Sequence, residues 1–593
     1  MANVANFLQR SDQALADLFS QWGLITSLLA LLVLILASYP LLYPDEPDTH
    51  PLLLARQAQP APIRKKNESA AYRSPEVVYG NPLRSGLNVK SAGAPRWANG
   101  KDGDLRDVWR EVQKGGKVGE DGKEVPKGAI MTIHGKEDVV EHDIEGWSKE
   151  INVIGKHLKD AGVKKVAIYL PNGVEYLSTI FGMAAFIGFD NGYPVLTDNL
   201  ACAFYGLTPI LLPYNQPHPN VYKLVNDTAA DALICAAGNL PLDHLAEQCQ
   251  QLRCLTWVVE KTSRHMDWSG IPESASGRLT VSVWHDVVDE AKDTASADLP
   301  SNEQGEKPGD LIAVWQPTTA QDAQADIVTF TQGNLVAAIS ALISALPLRQ
   351  RFTPADLVLP ADTFTHTYIL CQTLAAFFTH ASLAINSVAS PGIDLALASR
   401  SVSPTVILAS AETMAALHAK ETAGISTNLQ KLGQYNQSQA LTAGRMPTDN
   451  LLFRMLAPSS SAAGNEPGKL RLILTSERLG AGSPAISSTM LFDLRIFTRA
   501  RICYALTAAR VAGAVAQTNV FDYRRDDGSG HAHFGMPLSC VEVKLKNRDE
   551  KKVSGNCPEG EIVVMGPAVS GSAREVDLGV QARFREDGVL ELV

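Results

Sequence analysis

From about residue 140 onward, short apolar runs alternate with amphipathic stretches, and that alternation predicts the architecture. Residues 166–170, Val-Ala-Ile-Tyr-Leu, form a continuous apolar run ending at Pro171, the pattern of a strand covered on both faces. Before it, residues 145–161 place Ile151, Val153, Ile154 and Leu158 along one helical face and stop at Gly162. After it, residues 174–188 read as an apolar helix. Strands are predicted again at 207–212, 232–235 and 255–259, with a helix at 221–228. A second run opens at Asp310, with strands at 311–315, 357–359, 383–385 and 406–409 and helices at 334–345 and 369–378. Strands follow at 470–474 and 502–504. Repeated strand–helix units with fully apolar strands imply parallel sheets covered by helices, an α/β fold. Beyond Phe534, strands at 541–545 and 561–564 flank a charged hairpin at 547–552, which predicts a small β-barrel or sheet.

The N-terminus follows a different rule. No charge occurs between Asp17 and Asp45, and residues 24–43 hold twelve Leu, Ile or Val. As a helix those twenty residues span about 30 Å, the hydrocarbon thickness of a bilayer. Trp22, Tyr39 and Tyr43 stand where interfacial aromatics sit. The run is too long for a signal peptide, and only Arg10 precedes it as a basic residue. A single transmembrane helix is therefore expected, with membrane lipid as its partner. Arg56, Arg64, Lys65 and Lys66 follow the run, which places the C-terminal bulk in the cytosol. The endoplasmic reticulum is the expected membrane.

The organisation expected from these patterns is a short segment (1–23), a membrane helix (24–43), a Pro-, Gly- and charge-rich linker and extended arm (44–139), an α/β domain (140–530) and a β-rich subdomain (531–593). Residues 420–468, rich in Gln, Asn and Ser, read as a surface insertion. The chain has 593 residues, 45% of them hydrophobic, enough for several cores. A net charge of -10 without a basic, aromatic-laced stripe excludes nucleic acid as a partner. Eight scattered cysteines, with no Cys-x-x-Cys, argue against both a zinc site and a disulfide framework.

Several segments, taken in order, carry a resemblance. They are Val163-Lys-Lys-Val-Ala-Ile-Tyr-Leu-Pro-Asn-Gly173, Gly206-Leu-Thr-Pro-Ile-Leu-Leu-Pro-Tyr214 and Val328-Thr-Phe-Thr-Gln-Gly-Asn334, then Tyr504-Ala-Leu-Thr507, Gly535-Met-Pro-Leu-Ser-Cys-Val-Glu-Val543 and Gly560-Glu-Ile-Val-Val-Met-Gly566. In this the chain resembles the adenylate-forming (AMP-binding) enzymes, and among them the long-chain acyl-CoA synthetases most. The resemblance implies two α/β subdomains plus a small β-barrel. It also implies ATP/AMP and CoA as cofactors, with a long-chain acyl group as substrate. Members of that family form an acyl-adenylate and then transfer the acyl group to CoA, usually with the help of a mobile C-terminal domain.

Carried over residue by residue, the resemblance leaves Thr318, Thr319, Tyr504, Thr507 and Asp577 as candidate cofactor-binding residues. Thr318 and Thr319 survive from a phosphate loop whose glycines and lysine are gone: Ala320 stands at a glycine position, and no Lys or Arg occurs from 310 to 348. Asp322 and Asp326 add negative charge there. Such loops hold phosphates with backbone N–H groups and a cation. Tyr504 and Thr507 belong to the element whose next residue binds magnesium, and that residue is Ala508. Asp577 stands at the ribose-binding carboxylate, without the usual preceding Thr-Gly. His366 lies near a motif bordering the acyl site. The chain stops at Val593, before the hinge of the family's C-terminal domain, so the adenylation lysine has no position. The expectation is a membrane-anchored, acyl-CoA synthetase-like protein of fatty-acid metabolism with impaired catalysis. The alternatives are a pseudoenzyme binding acyl chains or proteins, and an active long-chain ligase with a divergent loop.

Overall fold

The computed structural model describes residues 23–42, 53, 57–87, 103–118, 122, 124–134, 138–182, 207–271, 277–291, 294–297, 309–316, 325–399, 401–447, 469–525 and 530–593. Within them lie three sheets. A seven-stranded sheet runs in the order Asp326–Phe330, Leu311–Trp315, Thr208–Leu211, Lys165–Tyr169, Ala232–Ala236, Cys254–Val258, Thr280–Val283. All its pairings are parallel except the first. A nine-stranded sheet runs from Met536–Pro537 and Ala516–Gln517 through Arg501–Thr507, Leu472–Arg478, Val406–Ser410, Leu357–Pro360, Ser382–Asn386 and Ile130–His134 to Asp138–His142. Its central strands are parallel and its flanking strands antiparallel. Apolar runs form these strands because both faces are covered: Val406, Ile407, Leu408 and Ala409 are all fully buried.

The β-rich subdomain is a six-stranded antiparallel sheet, and its first two strands come from the arm. Gln59–Pro60 and Tyr72–Arg73 lead into Glu542–Lys546, Glu559–Met565, Glu575–Phe584 and Leu590–Leu592. Tyr72 stacks on Phe584 at 3.8 Å. The arm thus carries far more order than its composition suggests. It also supplies the helix Leu105–Lys114, capped at both backbone and side chain by Asp104. Trp109 on that helix is fully buried, with its ring 4.7 Å from Trp147 and 4.9 Å from Phe181. Leu105, Val108, Trp109 and Val112 give the helical spacing that the surrounding Gly and Lys conceal.

Two further segments depart from expectation. Within the predicted insertion, Asn428–Thr442 is a helix, started by a capping box between Thr427 and Gln430, while residues 448–468 lie outside the described residues. The charged hairpin contains the short helix Glu550–Ser554, capped by Asp549.

The transmembrane helix is corrected. A helix does form at Leu24–Leu42. Among the described residues, however, no helix is long and apolar enough to cross a membrane.

Candidate functional site

In open α/β sheets, ligands gather outside the C-terminal ends of the parallel strands. In the nine-stranded sheet that region lies beyond Pro360, Ser410, Arg478 and Thr507, on four neighbouring parallel strands. Among the described residues, polar side chains of the chain gather there. Beyond Pro360, the turn 362–366 brings Asp362 and His366 together, with His366 Nδ1 2.7 Å from Asp362 Oδ2. Asn172 holds this turn by donating to Asp362 O and accepting from Phe364 N, each at 2.9 Å. Arg478, last in its strand, donates to His366 Nε2 at 2.8 Å and to Glu412 Oε1 at 2.9 Å. Because Arg478 can only donate, His366 Nε2 must accept, which puts the ring proton on Nδ1 facing Asp362. Ser483 donates to the same Glu412 oxygen at 2.8 Å. Burial alone would raise the Glu412 pKa, but Arg478 outweighs it and the carboxyl is held below its usual range.

A second cluster adjoins the first through the neighbouring residue. The Tyr504 hydroxyl donates to Glu477 Oε2, and His531 Nε2 lies 3.0 Å from Glu477 Oε1. Thr507 Oγ1 donates to the Glu477 carbonyl at 2.8 Å. Phe534 stacks on Tyr504 at 4.7 Å. Burial, then the Glu477 carboxylate, pushes the Tyr504 hydroxyl well above its ordinary pKa. Burial opposes protonation of His531, yet Glu477 prevails and its pKa is raised. Together the two clusters form one contiguous, largely buried polar network, in which, among the described residues, Glu412 Oε2 and Arg478 Nε have no hydrogen-bond partner.

Tyr504 and Thr507 therefore sit together in this network, with exposures of 0% and 2%. Ala508 is as deeply buried and brings no carboxylate. His366 joins them through Arg478. Asp577 lies elsewhere, exposed on the antiparallel sheet opposite Val563, with Oδ1 accepting from Gly579 N at 3.0 Å in its own turn. Thr318 and Thr319, with Ala320 and Asp322, fall outside the described residues. Among the described residues, no group of His, Cys, Asp or Glu could hold a metal ion. Sequence reasoning passed over Asp362, Glu412, Glu477, Arg478 and His531. The one available signal was the pair Glu477-Arg478 closing an otherwise apolar run, the position at which a strand leaves the core.

The sequence from residue 185 to 572 matches the AMP-binding enzyme family. The chain belongs to that family. No curated protein matches it closely enough to add to this. Solved structures of similar fold include an anthranilate CoA ligase in complex with anthranoyl-AMP. It is 14% identical with a TM-score of 0.55, over 85% of this chain and 79% of that one. A long-chain-fatty-acid-CoA ligase from Archaeoglobus fulgidus is 14% identical with a TM-score of 0.53, over 86% of each chain. The Mycobacterium tuberculosis fatty acyl CoA synthetase is 13% identical with a TM-score of 0.52, over 82% of this chain and 78% of that one. At these identities the likeness is one of fold.

The family implies an adenine nucleotide, and the described residues of the crevice do not fit one. Tyr504 is fully buried, with Phe534 stacked on one ring face and its hydroxyl given to Glu477. Thr507 spends its hydroxyl proton on a backbone carbonyl. Asp577 is turned to its own loop.

Proposed function

We propose that this chain is an acyl-CoA synthetase-like member of the AMP-binding enzyme family that does not form adenylates, and that it serves as a binding module at a membrane. The observation that carries this reading is the closed network at the strand ends: Arg478 lies between His366 and Glu412, while Glu477 lies between Tyr504 and His531. A nucleotide entering there would have to break charge-assisted hydrogen bonds worth about 1.5–3 kcal/mol each before making its own. The sequence supports the same conclusion independently, with no Lys or Arg from 310 to 348 and Ala508 in place of a carboxylate. The ligands it would keep are a long-chain acyl group or a protein.

Placement at the membrane is part of the proposal. Along Leu24–Leu42, Leu24, Ile25, Leu28, Leu29 and Leu31 to Ile35 are all more than half exposed. A helix apolar on every side calls for apolar surroundings, and contact with membrane lipid supplies them. The body would then lie on the cytosolic face, with the endoplasmic reticulum as the proposed compartment. Flotation of the full chain with neutral phosphatidylcholine vesicles is the expected result, and a chain left at the bottom of the gradient would remove this part of the reading.

The catalytic part is tested by ATP–pyrophosphate exchange with saturated fatty acids of short to long chain. The full chain and its Ala508→Glu variant should both stay at background, since the single change restores no phosphate cradle. Acid-dependent exchange by the wild type would instead establish an active long-chain ligase.

A further inference from the structure

The helix Asn428–Thr442 has one face on the body of the protein and one on solvent. On the inner face Gly433, Gln437 and Leu441 are buried, and the helix packs against Ser488–Thr498. Leu441 joins Phe492, Ile496 and Phe497 in a small apolar cluster there. Gln434 Nε2 fastens the same side by donating to Asp493 Oδ1 at 2.6 Å.

The outer face carries the opposite chemistry from a solvated one. Leu429, Leu432 and Tyr435 stand three residues apart, within an arc of about 120° at 3.6 residues per turn. They are 63%, 53% and 49% exposed. Single exposed apolar residues are ordinary on a protein surface, whereas a stripe of them marks a face that meets another apolar phase.

Two observations identify that phase. The apolar helix Leu24–Leu42 packs against Asn428–Thr442, and the three side chains remain open with it in place. The stripe thus lies on the very helix that touches the segment read above as meeting lipid. The charges agree. From residue 422 to 448 the sequence holds Lys431 and Arg445 and no Asp or Glu, in a chain of net charge -10. Lys431 and Arg445 are exposed, and exposed Arg525 joins the same helix by donating to Ser438 Oγ at 3.1 Å. An apolar stripe edged by cations alone suits a helix lying in the headgroup layer of an anionic bilayer. A protein partner seated on the stripe would leave the neighbouring apolar helix uncovered, while a bilayer covers both at once.

We propose that Asn428–Thr442 is a second membrane contact, seated in the headgroup layer of an anionic bilayer with Leu429, Leu432 and Tyr435 towards the acyl chains. This rests on the reading of Leu24–Leu42 as a lipid-contacting helix and adds to it. Two contacts fix how the body faces the membrane, where one helix alone would leave it free to turn.

The test binds the full chain to mixed phosphatidylcholine–phosphatidylserine vesicles carrying a photoactivatable phospholipid, and maps the cross-linked peptides by mass spectrometry. Cross-links are expected in both 24–35 and 429–435. Links confined to 24–35 would overturn the second contact while leaving the first standing. A chain that neither floats nor cross-links would remove both. Leu429→Glu combined with Leu432→Glu alters two exposed positions, so the thermal midpoint should hold. The links at 429–435 should then disappear and those at 24–35 persist; links retained at 429–435 would overturn the proposal. Without phosphatidylserine, the yield at 429–435 relative to 24–35 should fall about fivefold or more, the worth of one cation near an anionic surface. Equal relative yields on neutral and anionic vesicles would overturn the proposal as well. Should the double variant not fold, the wild-type map still decides.

Discussion

Replacing Arg478 with Met tests whether the crevice is held shut by coupled charges. The substitution roughly preserves the unbranched stem and removes the guanidinium that joins His366 at 2.8 Å and Glu412 at 2.9 Å. The side chains of Arg478 and Glu412 are 13% and 21% exposed, so water screens the pair only in part. Losing a charge-assisted bond costs about 1.5–3 kcal/mol and a bond to a neutral imidazole about 1 kcal/mol. Some of this will be recovered by relaxation, so about 2–4 kcal/mol is expected. Glu412→Met should cost a similar amount, because it leaves the guanidinium without its anion. The double variant removes both charges and leaves no unpaired ion. It should lie close to the worse single variant, a coupling of about 2 kcal/mol. Urea unfolding followed by far-ultraviolet circular dichroism supplies the three free energies, and a shared slope licenses their comparison. Losses that add to within about 0.5 kcal/mol would show that the two residues do not act as a pair.

Acid should destabilise the fold between about pH 4.5 and 2. His380 and Lys114 hold Glu111 at about 2 instead of 4.5, and Asp522 is held low by His533 and Arg524 despite its burial. A carboxyl whose folded pKa is lowered stabilises above its unfolded value, and the benefit is lost as pH falls through the folded one. Thermal midpoints measured down that range should fall steadily, and a flat profile would count against both pairings. His531 has the opposite sign: its raised folded pKa stabilises below 6.5, and the benefit is lost as pH rises through the folded value. A His531→Gln chain should therefore lose the part of the midpoint decline seen in the wild type above about pH 6.5. Gly560→Ala should cost more than about 3 kcal/mol or abolish soluble expression, because a Cβ there would meet Lys546 O at 2.4 Å. Gly270→Ala, where a Cβ meets nothing within 4 Å, is the silent control. Equal midpoints for the two would show that the strands do not approach so closely.

The strands of the two α/β sheets were legible because burial on both faces leaves a mark in one short window. Lys165–Tyr169 and Leu311–Trp315 emerged within a residue or so of their predicted bounds. The arm was not legible, because its strands Gln59–Pro60 and Tyr72–Arg73 are two residues each, and the second joins the sheet through a partner more than 400 residues away, with Arg73 opposite Glu542. A local pattern cannot encode such a pairing. The helix Asn428–Thr442 was hidden by its Gln- and Asn-rich surface, although the Thr427 and Gln430 cap was present to be read. At the site, Tyr504 and Thr507 were found by resemblance, and their burial in a charge network was not. That network joins five separate segments, and each of its charged residues taken alone looks like a solvated strand or helix end. Asp577 illustrates the converse, since an Asx turn and a ribose-binding carboxylate present the same residue in sequence.

The most direct test of the account is calorimetric titration of the full chain with a non-hydrolysable long-chain acyl-adenylate, beside the fatty acid alone and ATP alone. The closed network of Glu477, Arg478 and Tyr504 predicts no saturable heat with the adenylate or with ATP, and no gain of the adenylate over the acid. Saturable adenylate binding at micromolar concentration, well beyond the acid, would contradict it and show that the crevice opens to admit a nucleotide.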